Sequence, residues 1–238
     1  DILKKYMYIM ILIGDSDMTK IKGVLFDMDG VIFDTEKAYL ETWTKVFKSY
    51  GYDLKRETYI SIMGTGRDNA VRTFKEAFGN DIPMEDMYKD KDRILKEIIE
   101  SGSVPLKPGA VEILTYLREN NIKTALATSA RMWRAETQLK MSGIKDMFDK
   151  ITCGDEIKNL KPDPDIFLKS AQKLALNPDE CIVIEDSPAG IQAAFNAGMY
   201  GIHVEDLKEA DATIKKYCQA NFKNLMEIKE YLADKFLK

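Results

Sequence analysis

The segment DMDGVIFDT, Asp27 to Thr35, follows the apolar run Val24–Phe26 and sets two carboxylates, Asp27 and Asp29, two residues apart. In an extended strand that spacing directs both side chains to one side, and Gly30 permits a sharp turn directly after them. Two acids crowded at a strand end repel each other unless a cation or a proton lies between them. The pair therefore asks for a divalent metal, or for one acid as nucleophile while the other moves protons. A strand capped by a polar turn is the bland alternative for these residues taken alone. A calcium loop also begins Asp-x-Asp, but it needs an oxygen ligand at its fifth position, Gly at its sixth and Glu at its twelfth. Those positions hold Val31, Ile32 and Ala38, so that reading fails.

The elements that must position the pair are legible as apolar runs closed by turn residues. Strands are expected at Ile21–Asp27, Lys123–Thr128, Lys150–Cys153, Cys181–Glu185 and Tyr200–Val204. Between them lie amphipathic stretches at Gly109–Asn120, Met132–Ser142, Pro164–Leu174 and Pro188–Ala197. In the first of these, Val111, Leu114 and Leu117 recur every third residue, as for a helix packing one face on a sheet. Strands alternating with helices predict a doubly wound parallel α/β sheet. The stretch from Glu36 to Ser101 breaks the rhythm. It carries only helical patterns, at Glu36–Tyr50, Leu54–Met63, Asp68–Phe78 and Met84–Glu100, and it exits through SGSVPLKPG. It is expected to be an inserted helical domain, 36–102, with 18–35 and 103–238 forming the α/β core.

Sheets of this kind place their sites at the carboxyl ends of the strands. The first strand end supplies Asp27 and Asp29; the second supplies the hydroxyls of Thr128 and Ser129, at a helix start where free N–H groups also bind anions. Lys161, in LKPDPDIF, precedes another helix entry, and Glu185 and Asp186, in EDSPAG, follow the Cys181–Ile184 run. Taken singly, Thr128–Ser129 and Glu185–Asp186 read as helix caps, and Lys161 as a solvated loop residue. Together, and in this order, they offer acids for a metal, hydroxyls for an oxyanion and one lysine, which is the inventory of phosphoryl transfer.

Composition narrows the rest. A chain of 238 residues with net charge −4 and 45% hydrophobic content can bury one large core plus a smaller insert, and it shows no basic face for nucleic acid. Cys153, Cys181 and Cys218 are scattered and form no CxxC, as expected for reduced thiols of a cytoplasmic protein. The single histidine, His203, cannot build an all-histidine metal site and is expected to be packed or at the surface. Residues 1–17 are an extension of unknown value. Its apolar run Tyr6–Ile13 is too short to span a membrane, and Met18 is a plausible natural start.

In DMDGVIFDT, ATSA, KPDPDIF and EDSPAGIQAA, in this order, the chain resembles the haloacid dehalogenase superfamily, over essentially all of Ile21 to Lys238. Within it the helical insert resembles the cap of the β-phosphoglucomutase and small sugar-phosphatase group. The resemblance implies a Rossmann-like core, a helical cap and a Mg²⁺-dependent phosphatase acting on a sugar phosphate or a nucleoside monophosphate. Under it Asp27 is the nucleophile that forms an aspartyl-phosphate, and Asp29 protonates the leaving oxygen and then activates water. Thr128 binds phosphoryl oxygens, with Ser129 beside it, and Lys161 neutralises charge. Asp27, the Asp29 carbonyl and Asp186 hold Mg²⁺, with Glu185 nearby or in the outer shell. Arg67, in the cap sequence IMGTGRDNAV, and Arg131 are candidates for the substrate's distal group.

Asp29 argues against carbon–halogen cleavage, because the dehalogenase branch lacks the second acid. A sugar phosphomutase is the alternative, but its usual histidine after the first motif is replaced by Tyr39, and its asparagine after the second by Met132. A catalytically silent binding module is the third reading, disfavoured by four intact motifs. The expected partners are a small phosphorylated metabolite and at most a second copy of the chain, with no nucleic acid and no membrane.

Overall fold

A computed structural model describes residues 21–62, 67–206 and 210–236. The expected 1–17 extension, Met18, and the Gly64–Gly66 turn lie outside them. Six parallel strands form one sheet: β1 (Gly23–Phe26), β2 (Lys123–Thr128), β3 (Lys150–Cys153), β4 (Cys181–Glu185), β5 (Tyr200–Val204) and β6 (Ala220–Phe222). Their order is β3-β2-β1-β4-β5-β6. Helices fill both intervals: α1 (Thr35–Ser49), α2 (Arg56–Ile62), α3 (Arg67–Phe78), α4 (Met84–Glu100), α5 (Ala110–Glu119), α6 (Met132–Met141), α7 (Asp165–Leu174), α8 (Pro188–Ala197), α9 (Ala212–Tyr217) and α10 (Leu225–Phe236). The chain separates into two compact units. One is Asp34–Pro105, the four helices α1–α4, and the other is the α/β remainder. Among the described residues no helix is long and apolar enough to cross a membrane.

The central strands are apolar up to their carboxyl ends. Gly23–Phe26 and Cys181–Glu185 are buried at every position, because a parallel sheet is covered on both faces. The strand order reverses its direction of growth between β1 and β4, and that switch point is where a doubly wound sheet opens a crevice at its carboxyl edge. Phe26 pairs with Ile184 there, and the Asp27 N–H donates to the Ile184 carbonyl at 3.0 Å, so the β1 and β4 ends are level.

Three sequence expectations change. The first strand stops at Phe26, and the chain bends at Met28, which is fully buried. Asp27 and Asp29 are thus not alternate residues of one strand. On α5 the buried stripe is Ala110, Ile113, Leu114 and Leu117, while Val111 is 41% exposed. Spacing i, i+3, i+4, i+7 puts those four within one face, and Val111 falls at its margin. Strand β6 and helices α9 and α10 were not foreseen. Buried Leu225, Ile228 and Leu232 line one face of α10, which packs along α5.

In the helical unit the core is aromatic. Phe47 is fully buried, with its ring centroid 4.9 Å from Phe74 and 5.0 Å from Phe78; Trp43 meets Tyr88 edge-on at 4.8 Å. Such pairs add about 0.5–1.5 kcal/mol each to area burial, so this cluster ties α1, α3 and α4 together. Phe47→Ala is expected to destabilise the helical unit by about 3–5 kcal/mol. Denaturant unfolding followed by tryptophan fluorescence, with buried Trp43 as the responsive probe, checks this; a midpoint unchanged from the parent would be inconsistent with a packed cap core.

Candidate active site

Each carboxylate reaches the carboxyl edge by a local device. Asp27 is carried one residue past β1 and remains buried, 7% exposed. Gly30 turns the chain back with φ +76°, and a Cβ there would overlap the Asp186 carboxylate. Strand β4 ends at Glu185, and Ser187 caps α8 by accepting from the Gly190 N–H at 3.1 Å. A Cβ on Gly190 would overlap the Glu185 carboxyl group, so both glycines leave room for acids.

Lys161 lies between the acids. Its Nζ donates to Asp27 Oδ1 at 2.5 Å and to Glu185 Oε1 at 2.7 Å, and it sits 5.0 Å from the Phe167 ring centroid. With only 8% of its side chain exposed, it is a buried cation between two buried anions. Glu185 Oε2 accepts from the Ser187 N–H at 2.7 Å. Burial pushes the Asp27 carboxyl up to about 7; Lys161 opposes the shift, and Glu185 and Asp29 reinforce it. Burial likewise raises Asp186 well above its ordinary value, aided by the charges of Glu185, Asp27 and Asp206. Glu185 is buried too, but Lys161 outweighs the desolvation and holds it below the usual range. Lys161 itself is raised, its two anions overcoming desolvation.

One carboxylate oxygen each from Asp27, Glu185 and Asp186 lie within 4.8 Å of one another. Three hard oxygen donors at one point, two of them pushed toward protonation by burial and mutual repulsion, fit a divalent cation such as Mg²⁺. The Asp29 carboxylate is not in that group; its Oδ1 accepts from Arg134 Nη2 at 2.5 Å. The two acids of the opening motif therefore occupy separate environments.

Thr128 is buried at the end of β2, and its hydroxyl accepts from the Ala130 N–H at 3.1 Å. It does not cap α6; that helix begins after Arg131, and the Met132 N–H donates to both Asp155 carboxylate oxygens at 3.2 Å. Ser129 and Arg131 are exposed on the connecting loop. Arg67 belongs to the helical unit, where its guanidinium stacks 4.3 Å from the Tyr88 ring centroid. His203 is buried: Nε2 lies 3.0 Å from the Asp186 carbonyl and Nδ1 faces Asn221. Its packed role matches the sequence expectation, though its contact with the Asp186 backbone was not foreseen. Arg134 was also missed; the only signal was a basic side chain one helical turn beyond Arg131.

A haloacid dehalogenase-like hydrolase domain matches residues 24–204. The chain belongs to that family. It is similar to a phosphorylated carbohydrates phosphatase of Thermotoga maritima, at 33% identity over 202 residues, 82% of this chain and 91% of that one. Fructose-1-phosphate phosphatase YqaB of Escherichia coli is 30% identical over 182 residues, 76% of this chain and 95% of that one. Among solved structures, a β-phosphoglucomutase from Clostridium difficile superposes with a TM-score of 0.67 at 31% identity, covering 90% of this chain and 96% of that one. The acids and lysine that meet here come from three separate segments of the chain, around Asp27, Lys161 and Glu185–Asp186.

The raised acids give a signed expectation. Asp27 moves from its ordinary 3.8 to about 7 on folding. The cation-free folded state thus binds more protons than the unfolded chain, and this contribution to stability is lost as pH rises through about 7. Glu185, shifted downward, contributes with the opposite sign. A divalent cation must displace the retained protons, so its affinity should increase as pH rises toward 7. Thermal melts in Mg²⁺ against EDTA, across pH 5 to 8 in order-of-magnitude steps of cation, should show a stabilisation that grows with pH and reaches about 2.7 kcal/mol at a hundredfold excess over Kd. Superimposable melts with and without cation would remove the metal from this cluster.

Proposed function

We propose that the protein is a Mg²⁺-dependent phosphatase of a small phosphorylated metabolite, a sugar phosphate or a nucleoside monophosphate, working through an aspartyl-phosphate. The observation that carries this reading is Lys161 seated between Asp27 and Glu185 at the sheet's switch point, with Asp186 alongside. A carboxylate attacking a phosphate must have its own charge and the phosphate's compensated. A buried lysine on the nucleophile does part of that.

In this reading an Asp27 carboxylate oxygen attacks phosphorus, the bond from phosphorus to the ester oxygen breaks, and the leaving alkoxide takes the proton held by Asp29. Asp29, now a carboxylate, removes a proton from water; the water oxygen attacks phosphorus and the aspartyl oxygen leaves. Lys161 stays paired with Asp27 through both transfers and offsets the negative charge gathered at phosphorus. The Thr128 hydroxyl, with Ser129 and Arg131 on the same loop, binds phosphoryl and neighbouring substrate oxygens. Asp27, Asp186 and the Asp29 carbonyl, with Glu185 beside them, would hold Mg²⁺, which would supply further neutralisation of phosphoryl charge. Arg67 as a distal substrate contact rests on the family resemblance. The free thiols of Cys153, Cys181 and Cys218 accord with a cytoplasmic setting.

A phosphomutase is the second reading, supported by the β-phosphoglucomutase likeness. A mutase must protect its phosphoenzyme from water until the intermediate reorients. Tyr39 and Met132, where that group carries histidine and asparagine, favour hydrolysis instead.

Two measurements test the assignment. Asp27→Asn should lower phosphate release at least about a thousandfold, in the range seen on losing a covalent nucleophile. Near-parental turnover would take Asp27 out of that role. Phosphorus NMR on β-glucose 1-phosphate with the bisphosphate activator should show free phosphate accumulating; accumulation of glucose 6-phosphate would make the chain a mutase.

A further inference from the structure

Helix α6 carries two polar side chains one turn apart, Arg134 and Gln138, on a face turned toward the first motif. Arg134 Nη2 donates to Asp29 Oδ1, and Arg134 Nε donates to Gln138 Oε1 at 3.0 Å. Gln138 is 2% exposed, and its Nε2 has no hydrogen-bond partner among the described residues. A buried amide with an unsatisfied N–H is costly, and an apolar residue of similar size would avoid that cost. Its carbonyl oxygen instead fixes the plane of the Arg134 guanidinium through the i,i+4 spacing. The Arg134 side chain is itself largely buried, 15% exposed, against 33% for the Asp29 side chain. Rigid groups thus lead from the body of α6 to one oxygen of Asp29. The helix start is pinned in turn by Asp155.

We infer that Arg134, oriented by Gln138, is a positioning residue that aims the Asp29 carboxyl at the leaving-group oxygen. This rests on the reading of Asp29 as the acid that moves protons. The contact is to Oδ1, so the transferred proton travels on Oδ2. Arg134 acts through Asp29 and does not touch the reacting atoms.

A structural role and a positioning role separate by leaving group. An aryl phosphate such as p-nitrophenyl phosphate departs without a proton, whereas an alkyl phosphate such as glycerol phosphate needs one. Arg134→Gln should lower kcat/KM on the alkyl ester about 10- to 100-fold more than on the aryl ester, within the span of a general acid's contribution. Asp29→Asn should lower the same ratio further, and adding Arg134→Gln to it should change nothing. Gln138→Met should give a weaker form of the same selective loss with a thermal midpoint no lower than the parent's, since it removes the orphaned N–H. An Arg134→Gln variant that slows both esters equally, or that slows Asp29→Asn further, would overturn the inference, as would a Gln138→Met variant with an unchanged ester ratio. An unchanged ratio in Asp29→Asn would instead remove the acid assignment on which the inference stands.

Discussion

Three carboxylates converge at the carboxyl edge of the sheet, two of them paired with one lysine, and the surroundings are built to tolerate that. Counting Asp27, Glu185 and Asp186 against Lys161, three negative charges meet one positive, a deficit of two if all are ionised. Charges removed from water cannot sustain such a deficit; they take up protons or a cation. The opposite shifts of neighbours express this. Glu185, which shares Lys161 and receives the Ser187 N–H, stays an anion, while Asp27 and Asp186 are driven toward protonation. A divalent cation carries the missing two charges.

The sheet creates this crowding and also confines it. Because β1 and β4 are adjacent, parallel and level, their next residues meet at the switch point of the sheet. Gly30 and Gly190 then act as spacers. A side chain at either would displace an acid, Asp186 in one case and Glu185 in the other. Lys107 and Asp206 form a further pair, and His203 meets the Asp186 backbone, so the surrounding polar groups are tied to the same corner.

How much of this was legible in the sequence depended on whether the signal was local. Buried parallel strands write themselves as unbroken apolar runs, so β2, β3, β4 and β5 were placed to the residue. β6 is three residues at the sheet margin, Ala220–Phe222, too short and too polar for such a run. The stripe Leu225, Ile228, Leu232 in α10 has helical period, but its apolar residues are interleaved with charged ones and form no continuous run. The strand ends delivered Asp27, Thr128, Lys161, Glu185 and Asp186 to one edge because topology, not spacing, brings them there. Spacing misled at Asp29, where the alternation rule assumed a strand the chain had already left. Arg134 on α6, which engages the acid, carried no such signal; which turn of a helix faces a neighbour is a tertiary fact.

That failure at Asp29 has a physical content of its own. Had Asp27 and Asp29 lain on one strand face, both would have entered the acid cluster and each would have opposed the other's ionisation. The bend at buried Met28 and the left-handed Gly30 turn them apart, toward Lys161 and toward Arg134 respectively. Two like groups can hold different tasks only if their environments differ. A nucleophile needs a fixed cation and no proton, whereas an acid–base group needs access to water and freedom to exchange one. Under the proposed mechanism Lys161 supplies that cation at Asp27, and the one-third exposure of the Asp29 side chain supplies the access to water, within three residues of chain.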